Sequence, residues 1–575
     1  MDCAGLLDAI GGPQLPRGVL RAFDYLSGLA EINRACDAAG LRAGMPAETV
    51  ASSLLRQLNI SICISWEKPP TAELGRGPLV VVANHPFGFA DAFALTTIVG
   101  TIRDDWRAIA NTFLGAARLD GKRLLFVDLF GKARHALNRA SLRAALQHLE
   151  GGGSLAVFPS TFCSHFDVRK RMIVDRPWSE HIRQLVAHTK ATVLPVYFHG
   201  SNSALFAAAG FIPSVRTALL GRELLRRKNS RLDVRVGAPL PWSQLSRVSK
   251  TAMTEYMRAN VYALKFAMPR REGTESNGSS QVVVKSQECD TALLSEFERL
   301  KETHLVASTG NLSVLLLKPS DSSQFFSTLC GVHAKAGFSY DRYDEENHHL
   351  IGWDTGRKQI FGTYRLRIPS PERAVDLRDY ASAQSFRFEA GAMPLLQEGI
   401  ELGRACIAPG YQREYAPLLA LWFGILGVWL DNDRYRYLFG PAWMQRSYHS
   451  KSIALITRYL SQRCADVQFA AHLEPKHRVL PERFGEFDAD RIITGVDDFR
   501  AIDRLVHAIE GGRQGLPTLF KRYLDVGARF AGFARWRELG DVVVGLAILD
   551  KARASHVYDA FASRFKRRAR VETVS

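Results

Sequence analysis

The sequence predicts an α/β protein built from two domains, and three observations support this prediction. At 575 residues the chain is too long for one hydrophobic core, because domains usually hold about 100–200 residues. Short β-rich segments alternate with segments of helical periodicity in the first half of the chain. A stretch rich in Pro, Gly, Ser and Asn at 269–290 interrupts the apolar pattern. We therefore predict domains at 1–268 and 291–575, joined by this linker.

The first domain begins with helical periodicity over about residues 16–60. Apolar β-branched runs then follow and predict five strands: PLVVVANH, RLLFVDLF, SLAVFPS, ATVLPVYFHG and RLDVRVG. A segment with a 3.6-residue period, ARHALNRASLRAALQHLEGG, lies between the second and third strands and predicts a helix. This alternation is typical of an α/β layer.

The second domain shows strands first and then a long apolar segment. Four runs predict strands: NLSVLLLK, HHLIGWD, QIFGTYRLRI and GIELGRACI. The segment REYAPLLALWFGILGVWLDN has the length and composition of a buried helix that begins near Arg413. The pattern is that of an α+β or α/β domain.

Composition limits the classes of partner without choosing among them. The 75 Lys and Arg outnumber the 58 Asp and Glu and leave a formal charge of +17, which favours nucleic acid, an anionic membrane leaflet or an acidic carrier protein. The eight cysteines include no C-x-x-C pair, so neither a zinc site nor a disulfide framework is indicated, and a reducing cytosol fits best. We interpret Cys406 as a packed core thiol.

Membrane contact is expected to be peripheral. The N-terminus lacks the pattern of a signal peptide. The longest apolar run, LLALWFGILGVWL, has 13 residues, whereas a spanning helix needs about 20.

The segment VVANHPFGFADAF at 81–93 carries the first candidate site. His85 and Asp91 are six positions apart, so on a continuous helix they would lie on different faces and can meet only across a turn. Pro86 and Gly88 supply a fixed φ and a permissive backbone for such a turn. An acid on one imidazole nitrogen would leave the other free to take a proton from a hydroxyl. The alternative is a histidine at a strand end that only hydrogen-bonds the turn.

Three later segments, FVDLFG, VFPSTFCS and VLPVYFHGSNS, each end a strand in a loop, where α/β sheets present site residues. Together with NHPFGFAD they resemble the four ordered blocks of the glycerolipid (lysophospholipid) acyltransferase family over about 70–245, and in particular the hemolysin-like acyltransferases that O-acylate lyso-ornithine lipid. The resemblance implies that His85 is the general base and Asp91 its orienter. It implies substrate-binding positions at Asp128, Pro159, Ser160 and Thr161.

The first half departs from that family in three places. Five residues separate His85 from Asp91 where the family has four. Leu129 stands where the family has a phosphate-binding Arg, and the F-P-E-G motif is FPST, with Ser160 in place of the acid. The missing Arg favours an amino-acid lipid as acceptor over a phosphate-bearing one.

In the second half, FGTYRLR, ELGRACI and YQREYAPLLALWFGI resemble the GNAT-like N-acyltransferases of ornithine lipid synthesis, which are similar to acyl-homoserine lactone synthases. The resemblance spans about 300–550. It implies that Glu401 and Arg404 lie at the acceptor amine or the thioester, and that Arg413 to Ala416 form the phosphopantetheine loop. At odd spacing on a strand, Glu401 and Arg404 are expected on opposite faces. A salt-bridged strand before a core helix is the alternative.

The two halves together resemble the bifunctional ornithine lipid synthases. The resemblance implies that the C-terminal half N-acylates ornithine with a 3-hydroxyacyl group and that the N-terminal half O-acylates the new hydroxyl. Acyl carrier protein would supply the thioester as a substrate, with no bound cofactor and no metal. The expected partners are this carrier, ornithine, lyso-ornithine lipid and an anionic membrane surface rather than nucleic acid, with the protein on the inner face of a bacterial cytoplasmic membrane. Two alternatives stay open. One is a lysophospholipid O-acyltransferase with a degenerate regulatory GNAT half. The other is a basic membrane adaptor, which is supported by the basic segment SRFKRRAR at 563–570.

Overall fold

The computed structural model describes most of the chain between residues 27 and 554. The described ranges are 27–42, 44–70, 72–112, 122–128, 134–204, 206, 213–267, 291–335, 340–412, 414, 416–430, 432–537 and 540–554. Within these ranges, every helix is too short or too polar to cross a bilayer.

The chain forms two compact units, and the first is not continuous in sequence. It comprises Met1–Pro269 together with Glu482–Leu516, and the second comprises Arg270–Pro481 together with Pro517–Ser575. The first division falls within the predicted linker. The sequence, however, predicted 482–516 as part of the C-terminal domain, and the structure assigns this segment to the first unit.

The first unit is a parallel sheet with helices. Its helices are α1 (Leu29–Ala38), α2 (Ala47–Gln57), α3 (Phe89–Ile102), α4 (Arg134–Glu150), α5 (Glu180–Thr189), α6 (Pro213–Arg226), α7 (Trp242–Leu245) and α8 (Met253–Ala263). Its strands are β1 (Ser61–Trp66), β2 (Leu79–Ala83), β3 (Trp106–Asn111), β4 (Leu124–Val127), β5 (Ser154–Val157), β6 (His165–Asp167), β7 (Met172–Val174), β8 (Thr192–Phe198) and β9 (Arg231–Val236). All five strands predicted here are confirmed, whereas β1, β3, β6 and β7 were not predicted.

Seven of these strands form one sheet in the order β1-β9-β8-β2-β5-β3-β4. Only the β8–β9 pair is antiparallel. β2 is fully buried in the middle of the sheet, which explains its continuous apolar run. The loops that follow parallel neighbours meet at one edge, so the segment after β2 joins those after β5 and β8.

The added segment of the first unit contains two helices, Ala489–Gly495 and Phe499–Ile509, and is held by ion pairs. Glu67, which is 3% exposed, pairs with Arg504 at 3.2 Å and His507 at 2.8 Å. Glu486 pairs with Lys265 at 2.8 Å. These buried contacts make 482–516 a part of the first unit's packing rather than an appendage.

The second unit is a largely antiparallel sheet. Its helices of five or more residues are α9 (Thr291–His304), α10 (Ser323–Lys335), α11 (Arg342–Glu346), α12 (Met393–Gln397), α13 (Ala416–Leu430), α14 (Ser450–Arg463) and α15 (Thr518–Asp525), with a shorter helix at Val467–Ala470. Its strands are β10 (Leu305–Thr309), β11 (Leu312–Leu317), β12 (His348–Asp354), β13 (Gln359–Arg367), β14 (Phe386–Phe388), β15 (Gly399–Ile407), β16 (Tyr437–Met444), β17 (Leu473–Pro475), β18 (Arg529–Trp536) and β19 (Val542–Asp550). The four predicted strands are confirmed, and the α/β class predicted for the chain holds in both units.

Eight strands form the main sheet in the order β10-β11-β12-β13-β15-β16-β19-β18. The one parallel pair, β15 with β16, extends only over Gly399–Glu401 and its partners. Beyond Glu401 these two strands share no further register pairs. The predicted apolar helix is confirmed as α13, but it begins at Ala416 rather than Arg413.

Helix α13 packs closely against the sheet. A Cβ on Gly424 would lie 2.7 Å from the Val314 side chain of β11, and Leu421 and Ile425 are fully buried. The glycine thus permits the close approach of helix to strand.

Candidate active sites

The histidine and the acid of the first candidate site are in contact. His85 Nδ1 lies 3.1 Å from Asp91 Oδ1, and the Asp91 side chain is fully buried whereas His85 is 14% exposed. The other carboxylate oxygen, Asp91 Oδ2, accepts the Phe87 N–H at 2.7 Å. The turn expected from the sequence therefore exists and absorbs the additional residue.

Gly88 makes this turn possible. Its φ of 87° lies in the left-handed region, and a Cβ there would meet Leu220 at 2.5 Å and Cys163 Sγ at 3.1 Å. Helix α3 starts at the next residue, so Asp91 sits in its first turn, where the helix dipole favours a carboxylate.

Surrounding groups hold the backbone on both sides of His85. Asn84 exchanges two hydrogen bonds with the Phe198 backbone, at 2.7 and 3.0 Å, and so joins the ends of β2 and β8. The buried Asp175 accepts the His85 N–H at 3.3 Å and the Ser164 hydroxyl at 2.6 Å. Burial raises the pKa of Asp175.

The electrostatics of His85 follow from this setting. Burial lowers the pKa of the imidazole, but the charge and hydrogen bond of Asp91, aided by Cys163, outweigh burial and hold that pKa well above 6.5. The ring also stacks on Phe158, with centroids 4.1 Å apart. The imidazole is thus fixed in orientation and basic.

The dyad opens on an apolar cavity of about 370 Å³. Among the predicted substrate-binding residues, Pro159 and Thr161 line this cavity together with His85. Thr161 adopts φ 67°, a conformation that glycine takes freely and threonine does not. A threonine in this conformation carries some backbone strain.

Two other predicted residues of this site lie beside the cavity. Ser160 is 3% exposed, and its hydroxyl donates to the Phe162 carbonyl at 2.9 Å. The backbone of Asp128 exchanges hydrogen bonds with the Asn138 side chain at 2.7 and 2.9 Å, and Asn138 lines the cavity. Whether Asp128 recognises the acceptor stays a prediction.

In the second unit the structure brings Glu401 and Arg404 to different partners. Both Glu401 oxygens accept backbone N–H groups, from Ala381 and Ser382, at 2.8 Å each, and burial raises the pKa of this carboxyl. The two bonds fix the orientation of this carboxyl group, which is 3% exposed.

Arg404 belongs to a buried cluster of charges that sequence reasoning did not find. It pairs with Asp341 at 2.6 Å and with Asp344 at 2.9 Å, and Arg365 pairs with the same two acids at 2.7 and 2.9 Å. A bulge between β13 and β15 and a φ of 46° at Arg404 aim its side chain at the acids. The D-x-x-D spacing in "SYDRYDEEN" was a signal that could have indicated it.

The remaining predicted residues lie near the start of α13. Ala416 is exposed at its first position, and Arg413 lies outside the described residues. Cys406 is 5% exposed, as expected for a core thiol, and burial raises its pKa.

Comparison with known proteins identifies the class of the second half. Residues 323–422 match the model of the Acetyltransferase (GNAT) domain. The chain is therefore an acyltransferase with a GNAT domain, as the sequence predicts, and the interpretation as a non-enzymatic adaptor is set aside. No curated protein matches the chain significantly.

Three solved structures resemble parts of the chain. The 1-acyl-sn-glycerophosphate (LPA) acyltransferase PlsC of Thermotoga maritima has 15% identity and a TM-score of 0.25, over 43% of this chain and 95% of its own. The loading GNATL domain of CurA from Lyngbya majuscula has 12% identity and a TM-score of 0.24, over 42% and 98%. The GphF GNAT-like decarboxylase, in complex with isobutyryl-CoA, has 15% identity and a TM-score of 0.22, over 41% and 98%. At such scores neither activities nor substrates follow from the likeness.

Proposed function

We propose that the chain makes an amino-acid lipid in two acyl transfers. The second unit joins a 3-hydroxyacyl group to the amine of ornithine, and the first unit then acylates the new 3-hydroxyl. The observation that carries the proposal is that His85, in contact with Asp91, lines an apolar cavity.

The O-acyl transfer follows from the chemistry of this dyad. Asp91 holds Nδ1, so the other ring nitrogen of His85 takes the proton of the acceptor hydroxyl. The oxygen attacks the thioester carbonyl, the C–S bond breaks, and the leaving thiolate receives the proton back from the imidazolium. No covalent enzyme intermediate is needed.

The shape and lining of the cavity support a fatty acyl substrate. A volume of about 370 Å³ lies in the usual range for small-molecule sites. Its walls are mostly apolar, with contributions from α3, β3, β5 and α5. A hydrocarbon chain gains by leaving water for such a surface.

For the N-acyl transfer we propose that the thioester arm enters where β15 and β16 separate. The two strands share register pairs only over Gly399–Glu401 on the β15 side, and this end of the pairing is the observation that supports the proposal. We expect acyl carrier protein as donor in preference to coenzyme A. Pro417 has no N–H and Leu418 is bulky, which disfavours closure of a loop on a pyrophosphate, and a chain of charge +17 suits an acidic carrier.

An exposed hairpin supports the proposal that the protein binds an anionic membrane surface. Strands β6 and β7 pair as a hairpin, in which Phe166 and Val168 are 44% and 62% exposed. The exposed Arg169, Lys170 and Arg171 follow directly. Apolar side chains beside several basic ones are typical of segments that bind anionic lipid.

The runner-up is a lysophospholipid O-acyltransferase whose GNAT half has become regulatory. At position 129 it would have lost the phosphate-binding Arg of the family to Leu, and Leu129 lies outside the described residues. This alternative predicts activity on lysophosphatidate and none on ornithine.

The test is expression in a host that normally lacks aminolipids, followed by mass spectrometry of the lipids. We expect a mono-acylated and a di-acylated ornithine lipid from the natural chain, and only the mono-acylated one from His85→Ala. A diacyl lipid at normal level with His85→Ala, or new phospholipids without any aminolipid, would contradict the proposal.

A further inference from the structure

We infer that Arg176 is the anion-binding group of the first unit's site and that it receives the carboxylate of an N-acylated amino-acid acceptor. This rests on the proposed function, because it names the part of the acceptor that the O-acyl transfer site recognises. Arg176 lies outside the motifs identified in the sequence.

The backbone next to Arg176 is fixed relative to the dyad. The preceding residue, Asp175, accepts the His85 N–H through its carboxylate. Its own N–H donates to Tyr262 Oη at 3.0 Å, and its carbonyl accepts from Arg258 at 3.0 Å. Because these groups are buried, the chain at 175–176 has little freedom to move away from His85.

The side chain of Arg176 faces the substrate cavity. Its guanidinium carbon lies 4.7 Å from the centre of the Phe162 ring, and both residues line the same cavity as His85. Within the part of the chain that the structure describes, Arg176 has no carboxylate at ion-pair distance, in contrast to Arg183, which pairs with Glu180 at 3.0 Å. Among the described residues that line the cavity, Arg176 is also the only lysine or arginine.

A guanidinium in this position fits a carboxylate. Its planar fork donates N–H groups to two carboxylate oxygens at once, and an apolar wall strengthens the attraction by excluding water. N-acylation of an amino acid consumes its α-amine and leaves the α-carboxylate as its anion. Base and guanidinium line one cavity, so one acceptor molecule can offer its hydroxyl to His85 and its carboxylate to Arg176.

The experiment measures kcat/KM for O-acylation by the full-length protein with N-(3-hydroxyacyl)ornithine and with its methyl ester, which lacks the negative charge. We expect the natural chain to prefer the free acid. Arg176→Met should lose roughly 10- to 100-fold with the free acid and little with the ester, as for the loss of a charged hydrogen bond. Arg176→Lys should recover part of the loss, and Arg183→Met, at a half-buried arginine outside the cavity lining, should behave as the natural chain.

Other outcomes would distinguish failure of the inference about Arg176 from failure of the proposed function. Equal losses on acid and ester with Arg176→Met would reduce Arg176 to a structural role and overturn the inference. A loss that disappears when the donor is an N-acetylcysteamine thioester, which has no phosphate, would assign Arg176 to the donor and also overturn it. If the natural chain acylates neither acceptor but acylates lysophosphatidate, the proposed function itself fails.

Discussion

The predicted residues of the two candidate sites have different surroundings. In the first unit His85 has one nitrogen on a buried acid and stands at an apolar cavity of about 370 Å³. In the second unit Glu401 gives both oxygens to backbone N–H groups, and Arg404 is neutralised by two acids. His85 thus lines a space that a substrate can enter, whereas Glu401 and Arg404 bind backbone and side-chain groups of their own unit.

The largest effect should come from removing the base. In His85→Ala we expect O-acylation to fall by about 10²- to 10⁴-fold, the usual contribution of general base catalysis. N-acylation of ornithine by the same preparation should be unchanged, because the residues proposed for the two activities belong to different units. Paired assays with both acceptors check this. An equal loss of both activities would contradict the assignment of His85 to O-acylation alone.

Disruption of the buried charge cluster in the second unit should lower the free energy of unfolding. Asp344 is 1% exposed and pairs with Arg365 and Arg404 at 2.9 Å each. Asp344→Asn would leave two buried guanidinium groups short of charge, so we expect a loss of about 3–5 kcal/mol in the free energy of unfolding. Urea unfolding checks the value.

The matched control for this cluster is a surface pair of the same unit. Arg378, which is 81% exposed, pairs with Asp376 at 2.7 Å, and Arg378→Met should leave the transition unchanged. An Asp344→Asn protein as stable as the natural chain, with N-acylation lost, would instead make the cluster part of the chemistry.

The pH dependence should sharpen the comparison further. His85 must be neutral to accept a proton, and Asp91 raises its pKa well above 6.5. O-acylation should therefore fall as the pH drops, with the midpoint of the acid limb of kcat/KM above 6.5. In Asp91→Asn the charge that raises this pKa is gone, so the midpoint should move to lower pH. An unshifted midpoint would assign the titration to another group.

Much of the fold was predictable because periodicity is a local property. All nine strands predicted from apolar runs are present, and the turn between His85 and Asp91 followed from Pro86 and Gly88. Segment 482–516 could not be assigned from its own pattern, because its place in the first unit depends on distant partners such as Glu67. The same holds for Asp175, which acts on His85 from 90 residues away.

This discontinuity of the first unit also bears on dissection of the chain. A fragment that ends in the linker would lack the helices at 489–495 and 499–509 and would expose Glu67 without its partners. The linker predicted from the sequence at 269–290 would favour truncation at this place. The structure instead calls for point variants in the full-length chain.

The smallest effect is expected at Cys163, and it tests whether the dyad acts directly. Cys163 is buried, lines the cavity with His85 and contributes to the raised pKa of the imidazole. A thiol, an imidazole and a carboxylate could also form an acyl-enzyme.

If the acceptor hydroxyl attacks the thioester directly, Cys163→Ala should keep O-acylation within roughly fivefold, equivalent to about 1 kcal/mol in the barrier. Intact-mass spectrometry after incubation with donor alone should then show no acyl adduct. Cys163→Ser tests the same point with a smaller change in packing, and Cys36→Ala, at a half-buried thiol outside the cavity, is the control. A loss as large as that of His85→Ala, together with an acyl adduct on the peptide that contains Cys163, would replace direct attack by a two-step mechanism through the thiol.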